Sequence, residues 1–239
     1  MKVKSRFDRN SQMKDFKNKS TKKKLHIGII FPDTKFSKEL SALVDWCLNN
    51  PRIEVDCLVT LPPRHHKKNI ITLFQKVLWK IVIGFESCFA KDLKQNIDSL
   101  IKDFDALDKI KKIKIDTSGD QAKQNISELL EYDLDLLVAF ELSEPLQTLS
   151  QASRLGLLSF DHDEQNQNFE YPLCFEEVLK KQNKTSFNIL HLAPKTQKIE
   201  RILKGSFVTH GFFLTNQRNL FLRRNFYMQK ILEDIHQGK

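Results

Sequence analysis

Short β-branched runs alternate with helix-spaced apolar residues along this chain, and that alternation leaves few folds open. Leu25 to Phe31, LHIGIIF, is a compact apolar run closed by the turn signal Pro32-Asp33. Ser37 then suits a helix N-cap, and Leu40, Leu43, Val44 and Cys47 follow at helical spacing. Asn49-Asn50-Pro51 stops that helix. Ile53 to Leu61, IEVDCLVTL, is a second strand, closed by Pro62-Pro63. Strand, helix and strand within residues 25–61 form a βαβ unit. Such a unit demands a parallel pair of strands joined by a right-handed crossover.

The remainder keeps the rhythm. Ile110 to Ile115, Leu134 to Phe140 and Leu157 to Phe160 read as further strands. Helices are expected at Asn125–Leu130, Glu144–Ser153 and Pro172–Lys181. Phe187–Leu192 and Arg201–Thr209 read as antiparallel strands, and Asn219–Ile235 as a final helix. The order predicts an α/β domain: a doubly wound, mostly parallel, Rossmann-like sheet with antiparallel C-terminal strands. No internal repeat is visible. At 239 residues and 40% hydrophobic content, one large domain with a core of its own fits the length.

The formal charge of +9 invites a nucleic-acid reading, but its placement argues otherwise. Residues 1–24 hold ten Lys/Arg against Asp8 and Asp15, a net +8. Residues 25–239 are left at +1, so the basic character describes a tail. With only Phe7 and Phe16 as large aromatic side chains, that tail is too polar to bury a core and is expected to be disordered. It lacks the apolar stretch of a secretory signal. It serves as a solvated, solubilising segment or as a weak, salt-sensitive handle for nucleic acid or an anionic membrane. The division is therefore a basic tail, 1–24, and an α/β domain, 25–239.

Ile70 to Ala90, IITLFQKVLWKIVIGFESCFA, is the most apolar stretch. Lys76, Lys80 and Glu86 interrupt it, so it is no transmembrane span. A mostly buried helix is expected, and its wide apolar arc leaves a membrane-surface or oligomer-interface helix as the alternative.

Several sites are missing. The first βα turn, FPDTKFS, has no glycine after Gly28, so neither a dinucleotide fingerprint nor a P-loop is present. Cys47, Cys57, Cys88 and Cys174 are scattered singletons without zinc spacing, read as small buried hydrophobes in a reducing, cytoplasmic setting. His65-His66 belongs to a basic loop, PPRHHKK. No metal site, G-x-S-x-G elbow or RNA-binding signature is found.

One segment carries more. Asp135-Leu136-Leu137 begins a strand, Arg154-Leu155-Gly156 leads into Leu157-Leu158-Ser159-Phe160, and Pro172, Phe175, Glu177 and Val178 follow on a helix. Thr185-Ser186-Phe187 opens the next strand. In order and spacing, Asp133 to Thr209 resembles the formyltransferase family, which includes methionyl-tRNA, glycinamide ribonucleotide and sugar-amine formyltransferases. The resemblance implies one-carbon (formyl) transfer from 10-formyltetrahydrofolate to an amine of a small, sugar-like or amino acceptor.

Formyl transfer is acyl transfer: a tetrahedral intermediate needs donors at its oxyanion, and the attacking amine must lose a proton. The family uses an Asn and a His at a strand end and an Asp from a later turn. By the resemblance, the Asn position falls on Ser159, the His position on Asp161, a second His on His162, and the turn near Gln197-Lys198-Ile199. Ser159 still carries a donor, whereas an ionised Asp161 only accepts. Gln197 is no base, and Ile199 does not take the positive φ of a glycine cheaply. Asp161, Asp163 and Glu164 around His162 form a dense ionisable cluster with His162 as the candidate base. Phe140, Glu141 and Leu142 are the implied folate-side loop. These replacements leave two readings open: a remodelled enzyme, or a pseudoenzyme that keeps the fold as a binding module.

Overall fold

The computed structural model describes residues 24–32, 38–61, 81–86, 110–115, 121–140, 144–161, 173–196 and 198–238. The strands are β1 (Leu25–Pro32), β2 (Ile53–Leu61), β3 (Lys111–Lys114), β4 (Leu136–Ala139), β5 (Leu157–Asp161), β6 (Lys184–Leu192) and β7 (Ile199–Val208). The helices are α1 (Lys38–Asn49), α2 (Gln121–Leu130), α3 (Glu144–Leu149), α4 (Phe175–Leu179) and α5 (Phe213–His236). A 3-10 turn, Ser150–Ala152, extends α3, and residues 81–86 are also helical. Of the tail, Lys24 alone is described, with its ammonium 3.3 Å from Glu54.

All seven strands join one sheet in the order β3-β2-β1-β4-β5-β6-β7. β1 through β5 pair in parallel, while β6 and β7 are antiparallel. This is the doubly wound, mostly parallel sheet with antiparallel C-terminal strands that the sequence predicts.

Period-two alternation feeds two cores from the same strands. In β4, Leu136 and Val138 face a cluster with α1 and α5, through Leu43, Met228 and Leu232. Leu137 and Ala139 face the opposite cluster with α2 and α3, through Leu129 and Leu146. Covered on both faces, β4 is buried at every position, which is why it reads as an unbroken apolar run. Cys47 and Cys57 lie within these cores, and burial pushes both thiols up to about 12, so they stay protonated and inert. Burial also raises Cys174; Cys88 lies outside the described residues.

Element ends differ where local sequence is ambiguous. α2 starts at Gln121, ahead of the Asn125 expected from apolar spacing, because its first turn is built of helix-favouring Gln, Ala and Lys. α4 is confined to Phe175–Leu179, and Lys181, at φ 49°, ends it in the left-handed region. α5 starts at Phe213 rather than Asn219, since a distant side chain caps it. Glu86 accepts hydrogen bonds from the Phe213 and Leu214 amides, both at 2.8 Å. Most of the Ile70–Ala90 stretch lies outside the described residues. Within 81–86, Val82 packs on the Phe187–Phe213 cluster while Ile81 and Phe85 stay exposed.

Candidate functional site at the carboxyl edge of the sheet

The strand order reverses between β1 and β4: the chain moves from β1 to β2 on one side and from β4 to β5 on the other. In open α/β sheets this opens a crevice beyond the carboxyl ends of the strands. Here that edge is formed by Pro32 of β1, Ala139 of β4 and Asp161 of β5. Of the residues that follow these strands, 33–37, 141–143 and 162–172 lie outside the described residues, and with them Glu141, Leu142 and His162.

Ser159 and Asp161 belong to β5, two residues apart and thus on one face. Ser159 is fully buried, and its hydroxyl donates to the Phe160 carbonyl at 3.2 Å. Asp161, at the strand end, is half-buried. Directly across from it on β6 stands Asn188, whose own neighbour on β7 is Lys204. An acid, an amide and a lysine therefore lie abreast on three adjacent strands, on one face of the sheet.

Asn188 is the residue that the motif reading passes over. It is 1% exposed, yet among the described residues its side-chain oxygen has no hydrogen-bond partner. A buried, unsatisfied amide oxygen costs about 1–3 kcal/mol, which makes Asn188 a candidate ligand contact. A signal exists in the sequence. Asn188 interrupts the apolar alternation of Phe187, Ile189 and Leu190, a strand otherwise buried through this stretch.

The other face of the same edge is aromatic. Phe140, half-buried, meets Phe160 with ring centroids 5.6 Å apart. The Arg224 guanidinium of α5 lies 5.2 Å from the Phe160 centroid and is itself 5% exposed. Glu177 of α4 is 6% exposed, and burial raises its carboxyl above the usual value, although the nearby Arg224 charge works against the shift.

Asp135 and the Arg154-Leu155-Gly156 motif gather at the amino edge. Asp135 is 1% exposed and accepts from the His26 amide at 3.0 Å. Its other oxygen meets the Arg154 guanidinium at 2.5 Å. Gly156 sits at φ 86°, and a Cβ there would collide with the Leu192 carbonyl and stand 2.9 Å from Pro194. Ser153 donates to the Gly156 carbonyl at 2.6 Å, and His191 Nε2 donates to the Leu155 carbonyl at 2.7 Å. The Asp135 and Arg154-Leu155-Gly156 motifs thus hold β4 against β5. Thr196 and Lys198, on either side of Gln197, also lie at this edge. β6 runs opposite to β5, so its last residue, Leu192, pairs with Leu157 at the start of β5. Four residues of strand separate that point from Asp161, about 13 Å. Gln197 itself lies outside the described residues. Among the described residues no group of three His, Cys, Asp or Glu is placed to hold a metal ion.

A strand order with one reversal, five parallel strands and an antiparallel pair at one edge defines a doubly wound α/β protein. Within that class the fold is that of formyltransferases and their relatives. The phosphoribosylglycinamide formyltransferase of Coxiella burnetii superposes with a TM-score of 0.52 at 11% identity, over 90% of this chain and 88% of that one. A formyltetrahydrofolate deformylase from Pseudomonas syringae gives 0.52 at 12% identity over 90% of this chain, which spans 63% of that longer protein. The Anaplasma phagocytophilum phosphoribosylglycinamide formyltransferase gives 0.50 at 10% identity, over 88% and 87%. At such identities the likeness establishes the fold. No family model matches the sequence, and no curated protein is significantly similar to it.

Proposed function

We propose that the carboxyl edge of β5 is a one-carbon transfer site that passes a formyl group from 10-formyltetrahydrofolate to an amine of a small acceptor. The observation that carries this reading is the Asp161–Asn188 pair, with the unpartnered buried oxygen of Asn188 beside it. The folate would supply an activated formyl group, and the chain's part is to hold an amine and move its proton.

The donor set fits that task in a specific way. The Asn188 amide offers an acceptor for an N–H and donors for a carbonyl oxygen in one group. Asp161 accepts only, so it suits the amine or an imidazolium rather than the developing oxyanion. His162, next in the chain, is the proton carrier. It takes the proton that the acceptor amine loses as the new C–N bond forms, and returns it to the departing folate nitrogen as the old bond breaks. Phe140 lines the folate side of the crevice, with Glu141 and Leu142 next in the chain. Ser159 spends its hydroxyl on Phe160, and the neighbours of Gln197 lie at the other edge, so neither receives a chemical step.

The same two facts favour a second reading, a binding module that retains the ligand and has lost turnover. One experiment separates them. A stable formylated folate analogue is titrated by calorimetry into the protein and into Asn188→Leu. Wild-type binding that weakens about tenfold in the variant, while urea stability stays equal or rises, supports the site, since an apolar replacement relieves an unpaired polar atom. No binding at millimolar analogue sinks both readings. Binding with no formyl transfer to any of a panel of small amines leaves the binding module.

A further inference from the structure

We propose that the outward face of α5 pairs, antiparallel and about a two-fold axis, with the same helix of a second copy of the chain. α5 carries two stripes. Phe213, Leu220, Arg224, Met228, Leu232 and Ile235 are buried, so one face belongs to the core. On the opposite side Asn219, Leu222, Phe226, Gln229 and Glu233 recur at intervals of three, four, three and four. That spacing is the seam of paired helices, where the side chains of one enter the gaps of another. Leu222 and Phe226 are 54% and 60% exposed, and the other three are half-buried. The Phe226 ring stands edge-on to Tyr227, which itself packs on Phe187 of the core. The apolar centre of the seam is thus held in place on a helix anchored along its other face, and little ordering is needed for it to dock.

Charge at the two ends of the seam selects the occupant. Arg218 flanks one end and Glu233 closes the other, and among the described residues neither has an ion-pair partner. A two-fold axis reverses one helix against the other and repeats every contact. When Leu222 packs on Phe226 of the partner subunit, Asn219 meets the partner's Gln229. Arg218 then falls three residues, about 4.5 Å along the axis, from the partner's Glu233, within reach of its side chain. The helix is therefore complementary to its own reverse. Arg223, the cation nearest the centre, is drawn off the seam toward β7, with its guanidinium 5.5 Å from the Phe207 centroid. A lipid surface is a poorer occupant, since an anionic bilayer repels Glu233 and its neighbour Asp234.

The test is sedimentation equilibrium of the full chain over a range of concentrations. A dimer that salt weakens is expected. Leu222→Ser with Phe226→Ser should weaken it by about tenfold or more while helicity by circular dichroism is kept, because both side chains are exposed. Arg218→Glu and Glu233→Arg should each weaken it by about tenfold, since each sets like charges together twice. Mixing these two variants should restore association, because each copy then supplies the charge the other lacks. A chain that stays monomeric at every concentration overturns the proposal. So does a dimer that the double serine variant leaves intact, or a mixture of the charge variants no tighter than either alone.

Discussion

Asp135 and Arg154 show what a motif residue does when its side chain is followed to its partner. Asp135 is sequestered under the start of β4, where it gathers the His26 amide and the Arg154 guanidinium. An isolated carboxylate there would be costly, so the arginine is its condition of burial. Arg154→Ala should lower unfolding free energy by about 2–4 kcal/mol in a urea melt, and Asp135→Asn should recover part of that loss in the double variant. Ligand affinity at the opposite edge should not change, which is the readout that separates this pair from the site. The resemblance visible in the sequence is therefore largely structural at this spot. Asp135, Arg154 and Gly156 were legible because burial, ion pairing and a positive φ each restrict the residue type sharply. Asn188 was not, because its meaning depends on standing opposite Asp161, a neighbour 27 positions earlier in the chain.

At the scale of elements, α5 depends on a side chain from far upstream. Its start lacks a cap from its own Phe212, and Glu86 takes the first two orphan amides instead. A carboxylate at that terminus satisfies the amides and complements the helix dipole together. Glu86→Ala should destabilise the fold by about 1–2 kcal/mol, and hydrogen exchange should quicken first in the opening turn of α5. If exchange there is unaltered, the 81–86 segment is not what holds the helix. Apolar spacing placed the body of α5, from Asn219 onward, since Leu220, Met228 and Leu232 repeat at helical intervals. It missed the first turn because the cap comes from another element, and no local pattern announces it.

For the whole molecule, pH stability should reflect carboxyl groups with raised rather than depressed pKa values. Burial raises Glu177 from 4.5 and Asp56 from 3.8, in the latter case against the opposing pull of His26. A group whose folded pKa is raised holds its proton more tightly in the folded state. Its stabilising effect is full below the unfolded value and fades as pH climbs from there through the folded value. Chemical denaturation at pH values rising from below the ordinary carboxylate range should therefore show stability falling from these two groups. Glu177→Gln should flatten the fall in part, leaving the share of Asp56. A profile that the substitution leaves unchanged would mean Glu177 ionises alike in folded and unfolded chains.

Periodicity and turn residues determined the α/β class, the parallel pairing of the first strands and the antiparallel end, and the charge count set a near-neutral body behind a basic tail. Those properties follow from local patterns: alternation at two, spacing at 3.6, and Pro, Asn and Gly at the breaks. Tertiary structure decided which edge of the sheet each motif serves. It set Asp135, Arg154 and Gly156 at the amino edge as architecture, and Asp161 beside Asn188 at the carboxyl edge as the candidate chemistry. Strand direction and cross-strand register are non-local quantities, set by which faces bury together, and no single stretch of the chain contains them.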